Sequence, residues 1–370
     1  VKEEPVKQDP VKVDPINMQK PPVTTPPTIT PPVITVADPT YSTFTFYGTP
    51  MKVRWGKADK LKLQGNDERA FAALFRELAG REYNNLIRDC LQLRIEYNLC
   101  DWAYFNMLRA LSEAACGANT NEAAFLQGYL FQQSGYSMRY AFEPTSHKLH
   151  VLARANSSVF DYKSIYADGH MFYLFEKSNI TQLRVCHMQY QGEQELALDV
   201  VPLPLFKELP TAERVIKSRS YGVETKARLN KNLIDFFDTY PTSFKNGDFM
   251  TRWAYYANTP LSKEVKEQIY PQLKAKISTA NTQLMAANML LNWVQTGLVY
   301  EYDDKVWGGD RAFFAEESLH YPFCDCEDRS ILFSHLVRDL LGLDVVLVYY
   351  PGHLATAVAF TEDVRGDYIM

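Results

Sequence analysis

The sequence lacks both a basic excess and a long apolar run. It contains 39 Lys and Arg against 44 Asp and Glu, which gives a formal net charge of −5. A nucleic-acid-binding surface needs a patch or stripe of positive charge, and the mixed charge pattern offers none, so we expect no nucleic-acid partner. Because no run of about 18 apolar residues occurs, these residues are not predicted to contain a transmembrane helix.

Cysteine is scarce and irregularly spaced. Six cysteines in 370 residues do not make the dense pattern of a disulfide-stapled scaffold. They are Cys90, Cys100, Cys116, Cys186, Cys324 and Cys326. Cys100 and Cys116, both in a predicted helical region, are the pair we consider for a disulfide in an oxidising compartment.

Proline, in contrast, is concentrated at the N-terminus. Eleven of the 20 prolines lie in the first 50 residues, and residues 1–36 follow a five-residue period that begins VKEEP. Such a segment cannot bury a core, so residues 1–40 are predicted to be an extended spacer with a reach of about 100 Å. A plain disordered tail fits the same composition.

The first residue is Val rather than Met. We therefore expect that a signal sequence or a membrane anchor has been removed from the N-terminus. In that case the proline-rich spacer would hold the protein in the periplasm or elsewhere in the cell envelope.

The rest of the chain is long enough for two domains. Its hydrophobic content of 46%, with 13% aromatic residues, supports sizeable cores. We expect an N-terminal domain at residues 41–225 and a C-terminal domain at 226–370. Strand-like segments at 41–53 and 147–205 and helical segments at 66–116 and 228–296 predict the α+β fold class.

The segment FCDCEDRS, residues 323–330, carries the main functional signal. Asp325 is a good helix N-cap, and Asp328 completes a capping box with it. Gly342 is the expected left-handed residue that ends the helix. Between them, apolar residues recur at spacings of three and four, as on one face of a helix: Phe333, Leu336, Val337, Leu340 and Leu341.

Cys326 is thereby predicted to be the first residue of this helix. Unpaired backbone N–H groups and the positive end of the helix dipole both favour the thiolate, which is the nucleophilic form. Glu327 and Asp328 oppose that effect, so a nearby imidazole must supply much of the activation.

His353 is the candidate base, 27 residues after Cys326. Residues 345–350 are predicted to form a strand, Pro351-Gly352 to turn it, and residues 353–360 to form a second strand. His353 shares a face of that strand with three alanines, Ala355, Ala357 and Ala359. We expect this face to pack over the helix start and so bring the imidazole to the thiol.

These residues resemble the transglutaminase-like superfamily, which has a papain-like fold. The family's C-x-D motif stands here as Cys326-Glu327-Asp328, its base as His353, and the resemblance covers about residues 280–370. It implies a helix packed on an antiparallel sheet and a Cys–His–Asp catalytic triad. Asp367 is the candidate third residue, and the alternative is an aspartate beyond Met370.

The resemblance implies thiol-dependent acyl transfer or amide hydrolysis on a peptide or protein substrate, with no cofactor and no metal. Hydrolysis is favoured over crosslinking because water is always available. The oxyanion needs preorganised donors. The backbone N–H of Cys326 is the first, and the side chains of Gln295 and Trp307 are candidates for the second.

Three other interpretations remain open. The C-terminal domain could be a non-catalytic scaffold or binding module, in which Cys326 and His353 only pack. Alternatively, thiolates and imidazoles could ligate zinc, with Cys324, Cys326, His320 and His353 as the ligand set. An acidic run at Asp303, Asp304 and Asp310 is either a cation site or a solvated loop.

The N-terminal domain repeats part of the C-terminal pattern. A helix predicted from Asn119 to Gln133 ends at Gly135, a strand follows, and His150 opens the next strand. Aligning Gly135 with Gly342 puts Asn119 at the position of Cys326. We expect either a degenerate copy of the C-terminal fold without its nucleophile or an unrelated α+β domain.

Overall fold

The computed structural model describes residues 41–56, 59–80, 84–176, 180, 182–186, 190 and 192–365. The proline-rich segment 1–40 and Asp367 lie outside the described residues. Within the described part of the chain, none of the helices combines the length and the apolar character that crossing a membrane requires.

The N-terminal part contains four helices and ten strands among the described residues. The helices are α1 (Glu68–Ala79), α2 (Asn84–Glu96), α3 (Asp101–Cys116) and α4 (Asn121–Gln133). The strands are β1 (Tyr41–Phe46), β2 (Thr49–Arg54), β3 (Met138–Phe142), β4 (Leu149–Ala153), β5 (Ser158–Val159), β6 (Ser164–Ala167), β7 (His170–Leu174), β8 (Arg184–Val185), β9 (Arg214–Lys217) and β10 (Glu224–Ala227).

The C-terminal part is mainly helical and ends in a hairpin. Its helices are α5 (Lys231–Phe237), a 3₁₀ turn (Phe249–Thr251), α6 (Trp253–Asn258), α7 (Lys263–Ile277), α8 (Gln283–Gly297), α9 (Asp303–Val306), α10 (Ala315–His320) and α11 (Cys326–Leu336), which continues as a π-helical turn (Val337–Leu341). Its strands are β11 (Ser243–Phe244), β12 (Val299–Tyr300), β13 (Phe323–Cys324), β14 (Asp344–Tyr350) and β15 (His353–Ala359).

The predicted α+β class is confirmed, and the sheets are largely antiparallel. The largest has five strands in the order β6-β7-β4-β3-β8. Pairs β1–β2, β9–β10 and β14–β15 are antiparallel hairpins, and β5 pairs with β11 across the predicted domain boundary. Only the short β12–β13 pair is parallel among the described strands. Buried apolar side chains from both parts form one continuous core.

Short polar residues start several helices as expected from their capping ability. Ser262 accepts a hydrogen bond from the Val265 amide at the start of α7, and Thr120 accepts one from the Ala123 amide at the start of α4. These side chains satisfy backbone donors that the first turn of a helix leaves free.

Helix α11 packs on the β14–β15 hairpin, as the sequence predicts. Gly342 ends it with φ of +68°, in the left-handed region that favours glycine. The sequence predicts one regular helix to Leu341, whereas the structure changes to π-helical geometry at Val337. The predicted apolar face is buried at Phe333, Leu336 and Val337.

The disulfide considered between Cys100 and Cys116 is not formed, and that expectation is wrong. Cys100 is the N-cap of α3 and Cys116 is its last residue. A helix of 16 residues is about 24 Å long, whereas bridged cysteines need Cα atoms within about 7 Å. All six cysteines are free thiols.

Two helix–hairpin units with the same order occur in the molecule. They are α4–β3–β4 and α11–β14–β15, and in both the hairpin strands are antiparallel. Asn121, the first residue of α4, accepts a hydrogen bond at Oδ1 from the Leu149 amide at 2.9 Å, 28 residues along the chain. Cys326, the first residue of α11, accepts one at Sγ from the Leu354 amide at 3.5 Å, also 28 residues along.

Candidate active site

The site is organised by the first turn of α11. Asp325 accepts a hydrogen bond from the Glu327 amide at 3.2 Å, and the Asp328 carboxylate accepts one from the Asp325 amide at 3.2 Å. The predicted capping box is therefore confirmed. Asp328 is fully buried and also accepts from the Phe313 amide at 2.8 Å, which ties the segment before α10 to the helix start.

Cys326 lies where the sequence predicts, at the first position of α11, and is half-buried. Its thiol donates to Glu327 Oε2 at 3.1 Å and accepts from the Leu354 amide at 3.5 Å. Burial raises the pKa of the Cys326 thiol to about 12, and the Glu327 and Asp325 carboxylates add to this, while the Leu354 amide opposes it. In this arrangement the thiol is protonated at neutral pH.

His353 begins β15, directly before the residue whose amide reaches Cys326. The start of β15 is therefore in contact with Cys326. The imidazole itself is exposed, and among the described residues no hydrogen bond or ion pair joins His353 to Cys326.

The expectation that the His353 face packs on α11 is wrong. Leu354 is 2% exposed, and its carbonyl accepts from Ser330 Oγ of α11 at 2.9 Å. Thr356 Oγ1, on the same face as Leu354, donates to the Ser330 carbonyl at 3.5 Å. His353 and Ala359 are exposed. Of the larger apolar face of the strand, Leu354 is buried and Val358 and Phe360 are partly buried against the core, which removes more apolar surface from water than the alanine face would.

The structure does not bring the two predicted oxyanion donors to the thiol. Gln295 is exposed near the end of α8. Trp307 follows α9 and packs edge-on against Tyr321, with ring centroids 4.9 Å apart. In the described part of the chain neither side chain forms a hydrogen bond with Cys326.

Five carboxylates surround the helix start and form what we call the acidic cluster: Asp303, Asp310, Asp325, Glu327 and Asp328. Oxygens of Asp303, Asp310 and Glu327 lie within 4.8 Å of one another, as do those of Asp303, Asp325 and Asp328. Oxygen ligands of this kind could hold a divalent cation such as Ca²⁺ or Mg²⁺. Asp303 is buried, so this part of the acidic run is not a solvated loop, whereas Asp304 is exposed.

Burial and mutual repulsion raise the pKa values of several carboxyl groups in the acidic cluster. Burial raises the pKa of Asp303 from 3.8 to about 6, and the neighbouring Glu327 and Asp310 contribute. Burial and Glu327 raise the pKa of Asp325 to about 8. Arg252 lies 3.5 Å from Asp310 and offsets part of this negative charge.

The four residues considered as zinc ligands are not brought together. Among the described residues, the clusters of possible ligand atoms include Cys326 but not Cys324, His320 or His353. The Cys324 thiol points instead to the Val299 carbonyl, 3.8 Å away. The reason is that Cys324 ends β13 while Cys326 starts α11, so the two side chains leave the backbone in different directions.

Sequence reasoning missed Tyr300 as a site residue. It lies on β12, paired with Cys324 of β13, and the Arg329 guanidinium lies 4.8 Å from its ring centroid. Arg329 is three residues after Cys326 on α11 and so shares its face. The one signal in the sequence was its position upstream of the segment FCDCEDRS.

In the N-terminal unit, His150 is fully buried between two glutamates. Its ring nitrogens lie 3.0 Å from Glu143 Oε1 and 3.2 Å from Glu176 Oε2. His150 therefore bridges two carboxylates and is not placed against the start of α4 as a base would be. That position is taken by the contact between Asn121 and Leu149.

A scan against protein-family models, a search of curated proteins and a search of solved structures each found no match.

Proposed function

We propose that the chain is a thiol-dependent acyl-transfer or amide-hydrolysing enzyme of the transglutaminase-like type, with a peptide or protein as its substrate. The observation that carries the proposal is the contact between Cys326 Sγ and the Leu354 amide at 3.5 Å. It joins the first residue of a capped helix to the start of the strand that begins with His353, as a cysteine–histidine site requires.

In the proposed reaction, the Cys326 sulfur attacks an amide carbonyl and its proton passes to His353. The tetrahedral intermediate then collapses, the carbon–nitrogen bond breaks, and the protonated His353 gives its proton to the leaving amine. Water attacks the resulting thioester with His353 again as the base, which releases the acid and restores the thiol.

The raised pKa of Cys326 sets a condition on this mechanism. Glu327 and Asp325 disfavour the thiolate. The proposal therefore requires the exposed imidazole of His353 to approach the sulfur already in the substrate-free protein, so that an ion pair offsets the two carboxylates.

We also propose that the N-terminal part contains a degenerate copy of the catalytic unit. The identical 28-residue separation of the two helix-start contacts supports this. In that alignment Asn121 stands in place of Cys326, and Lys148 in place of His353. The register differs from the one expected from the sequence, which paired Asn119 with Cys326 and His150 with His353.

A cell-envelope location, with residues 1–40 as a spacer, belongs to the same proposal. The proline-rich composition of that segment supports it.

Alkylation of Cys326 tests the enzymatic proposal. Iodoacetamide reacts with thiolate, so the rate at Cys326, measured by peptide mass spectrometry across pH, reports activation. We expect a rate above that of an ordinary thiol and a clear loss in His353→Ala. His320→Ala, a half-buried histidine outside the site, is the matched control and should leave the rate unchanged.

A second candidate is a non-catalytic binding module on the same scaffold. The raised pKa of Cys326 and the exposed position of His353 favour it. An alkylation rate at or below that of an unperturbed thiol, with no effect of His353→Ala, would support this candidate over the enzyme.

A further inference from the structure

Two independent contacts fix Tyr300 against the segment that leads into α11 and against the first turn of that helix. The β12–β13 pairing sets it opposite Cys324, and the Glu301 amide donates to the Cys324 carbonyl at 3.3 Å. From the other side, the Arg329 guanidinium lies over its ring. Arg329 is itself fixed because its Nη2 donates to the Leu298 carbonyl at 2.7 Å.

The ring is partly open to solvent. Tyr300 is 40% exposed, so its phenol is accessible to a bound molecule. Among the described residues its hydroxyl has no hydrogen-bond partner, so the O–H is free to donate to a bound molecule.

We propose that the Tyr300 hydroxyl is a catalytic residue that donates a hydrogen bond to the substrate oxyanion, alongside the backbone N–H of Cys326. This rests on the proposed thiol chemistry and adds the donor that neither Gln295 nor Trp307 supplies. As the sulfur attacks, the carbonyl oxygen gains negative charge, and the two donors stabilise it before the carbon–nitrogen bond breaks.

The electrostatics agree with a donor role. Burial raises the pKa of the Tyr300 phenol, and the Cys326 and Asp325 groups raise it further. The phenol therefore keeps its proton through the pH range in which a thiol enzyme works.

The Arg329 side chain has a positioning role in this arrangement. A guanidinium over an aromatic face restricts the ring by cation–π attraction. In this proposal it acts through Tyr300, by holding the ring in place.

The test compares Tyr300→Phe with Tyr302→Phe in the full 370-residue chain. Tyr302 is a matched control, since its ring lies 5.4 Å from that of Tyr300 but on the exposed side. The probe is p-nitrophenyl acetate, and the readouts are the first-turnover release of p-nitrophenolate and the iodoacetamide rate at Cys326. We expect Tyr300→Phe to slow acylation about 100-fold with an unchanged alkylation rate, and Tyr302→Phe to change neither.

The possible results distinguish the role of Tyr300 from the proposed thiol chemistry of Cys326. Equal acylation by Tyr300→Phe and the unaltered chain overturns the role of Tyr300 and leaves the thiol chemistry standing. Absence of acyl-enzyme in the unaltered chain, with Cys326 alkylated at an ordinary rate, overturns both. A parallel loss of acylation and alkylation would show that Tyr300 supports the thiol rather than the oxyanion, and would overturn the inference.

Discussion

At the scale of single residues, Cys326 experiences two opposing effects. The helix start offers unpaired N–H groups that favour a thiolate. Glu327 accepts the thiol hydrogen bond at 3.1 Å, and its carboxylate disfavours a second negative charge beside it. Burial is the largest effect and acts in the same direction as Glu327, so the pKa of the thiol is raised rather than lowered.

Removing the charge of Glu327 should therefore lower the pKa of Cys326. Glu327→Gln is therefore expected to speed iodoacetamide reaction at pH 8, by about tenfold for each unit by which the thiol pKa falls. The matched control is Asp304→Asn, which removes an exposed carboxylate from the same surface. An unchanged rate in Glu327→Gln would show that the Glu327 charge does not raise the thiol pKa.

At the scale of elements, the capping and turn patterns of the sequence predicted α11 and its hairpin correctly. The Asp325–Asp328 capping box and Gly342 define the helix in the structure as in the sequence. The π-helical turn from Val337 was not predictable from apolar spacing, because it depends on how the helix end packs against α6, β14 and α8. Arg338, for example, donates from that turn to the Ala257 carbonyl of α6.

The buried N-terminal cap of α11 should contribute more to the free energy of unfolding than an exposed cap does. Asp328→Ala leaves the amides of Asp325 and Phe313 without an acceptor, so we expect a loss of about 3 kcal/mol in the free energy of unfolding. Asp67 caps α1 through the Ala70 amide at an exposed site, and Asp67→Ala should cost about 1 kcal/mol. Urea unfolding of both variants checks this, and similar losses would contradict it.

At the scale of the whole molecule, buried carboxyl groups link stability to pH. Glu316 of α10 is fully buried and accepts from the Ser262 amide, which joins α10 to the start of α7. Burial raises its pKa from 4.5 to about 7. A group whose pKa is raised on folding stabilises the protein most below its unfolded pKa, and that contribution is lost as the pH rises through the folded pKa.

The protein is therefore expected to lose stability between about pH 4.5 and pH 7 through Glu316. Glu316→Gln keeps the acceptor oxygen and removes the ionisation, so it should abolish up to about 3 kcal/mol of this loss. The comparison is of urea unfolding at pH 5 and pH 8.5. Glu362→Gln is the control, because Glu362 accepts from the Leu284 amide at a more exposed site. The same pH dependence in Glu316→Gln and the unaltered chain would refute this.

Some errors of sequence reasoning were avoidable and others were not. The pairing of Cys100 with Cys116 conflicts with the helix already predicted across those residues, since a continuous helix holds its ends apart. The buried face of β15 is different, because alternation shows which residues share a face but not which face meets α11.

By itself the sequence determined the start and end of α11, the hairpin that follows, and the position of Cys326, because caps, turns and apolar spacing act over a few residues. Only the tertiary structure decided that His353 is exposed and that Tyr300 lies beside the helix start. It also assembled the acidic cluster from three separate segments. Contacts between residues distant in sequence depend on how whole elements pack, and no local pattern encodes that packing.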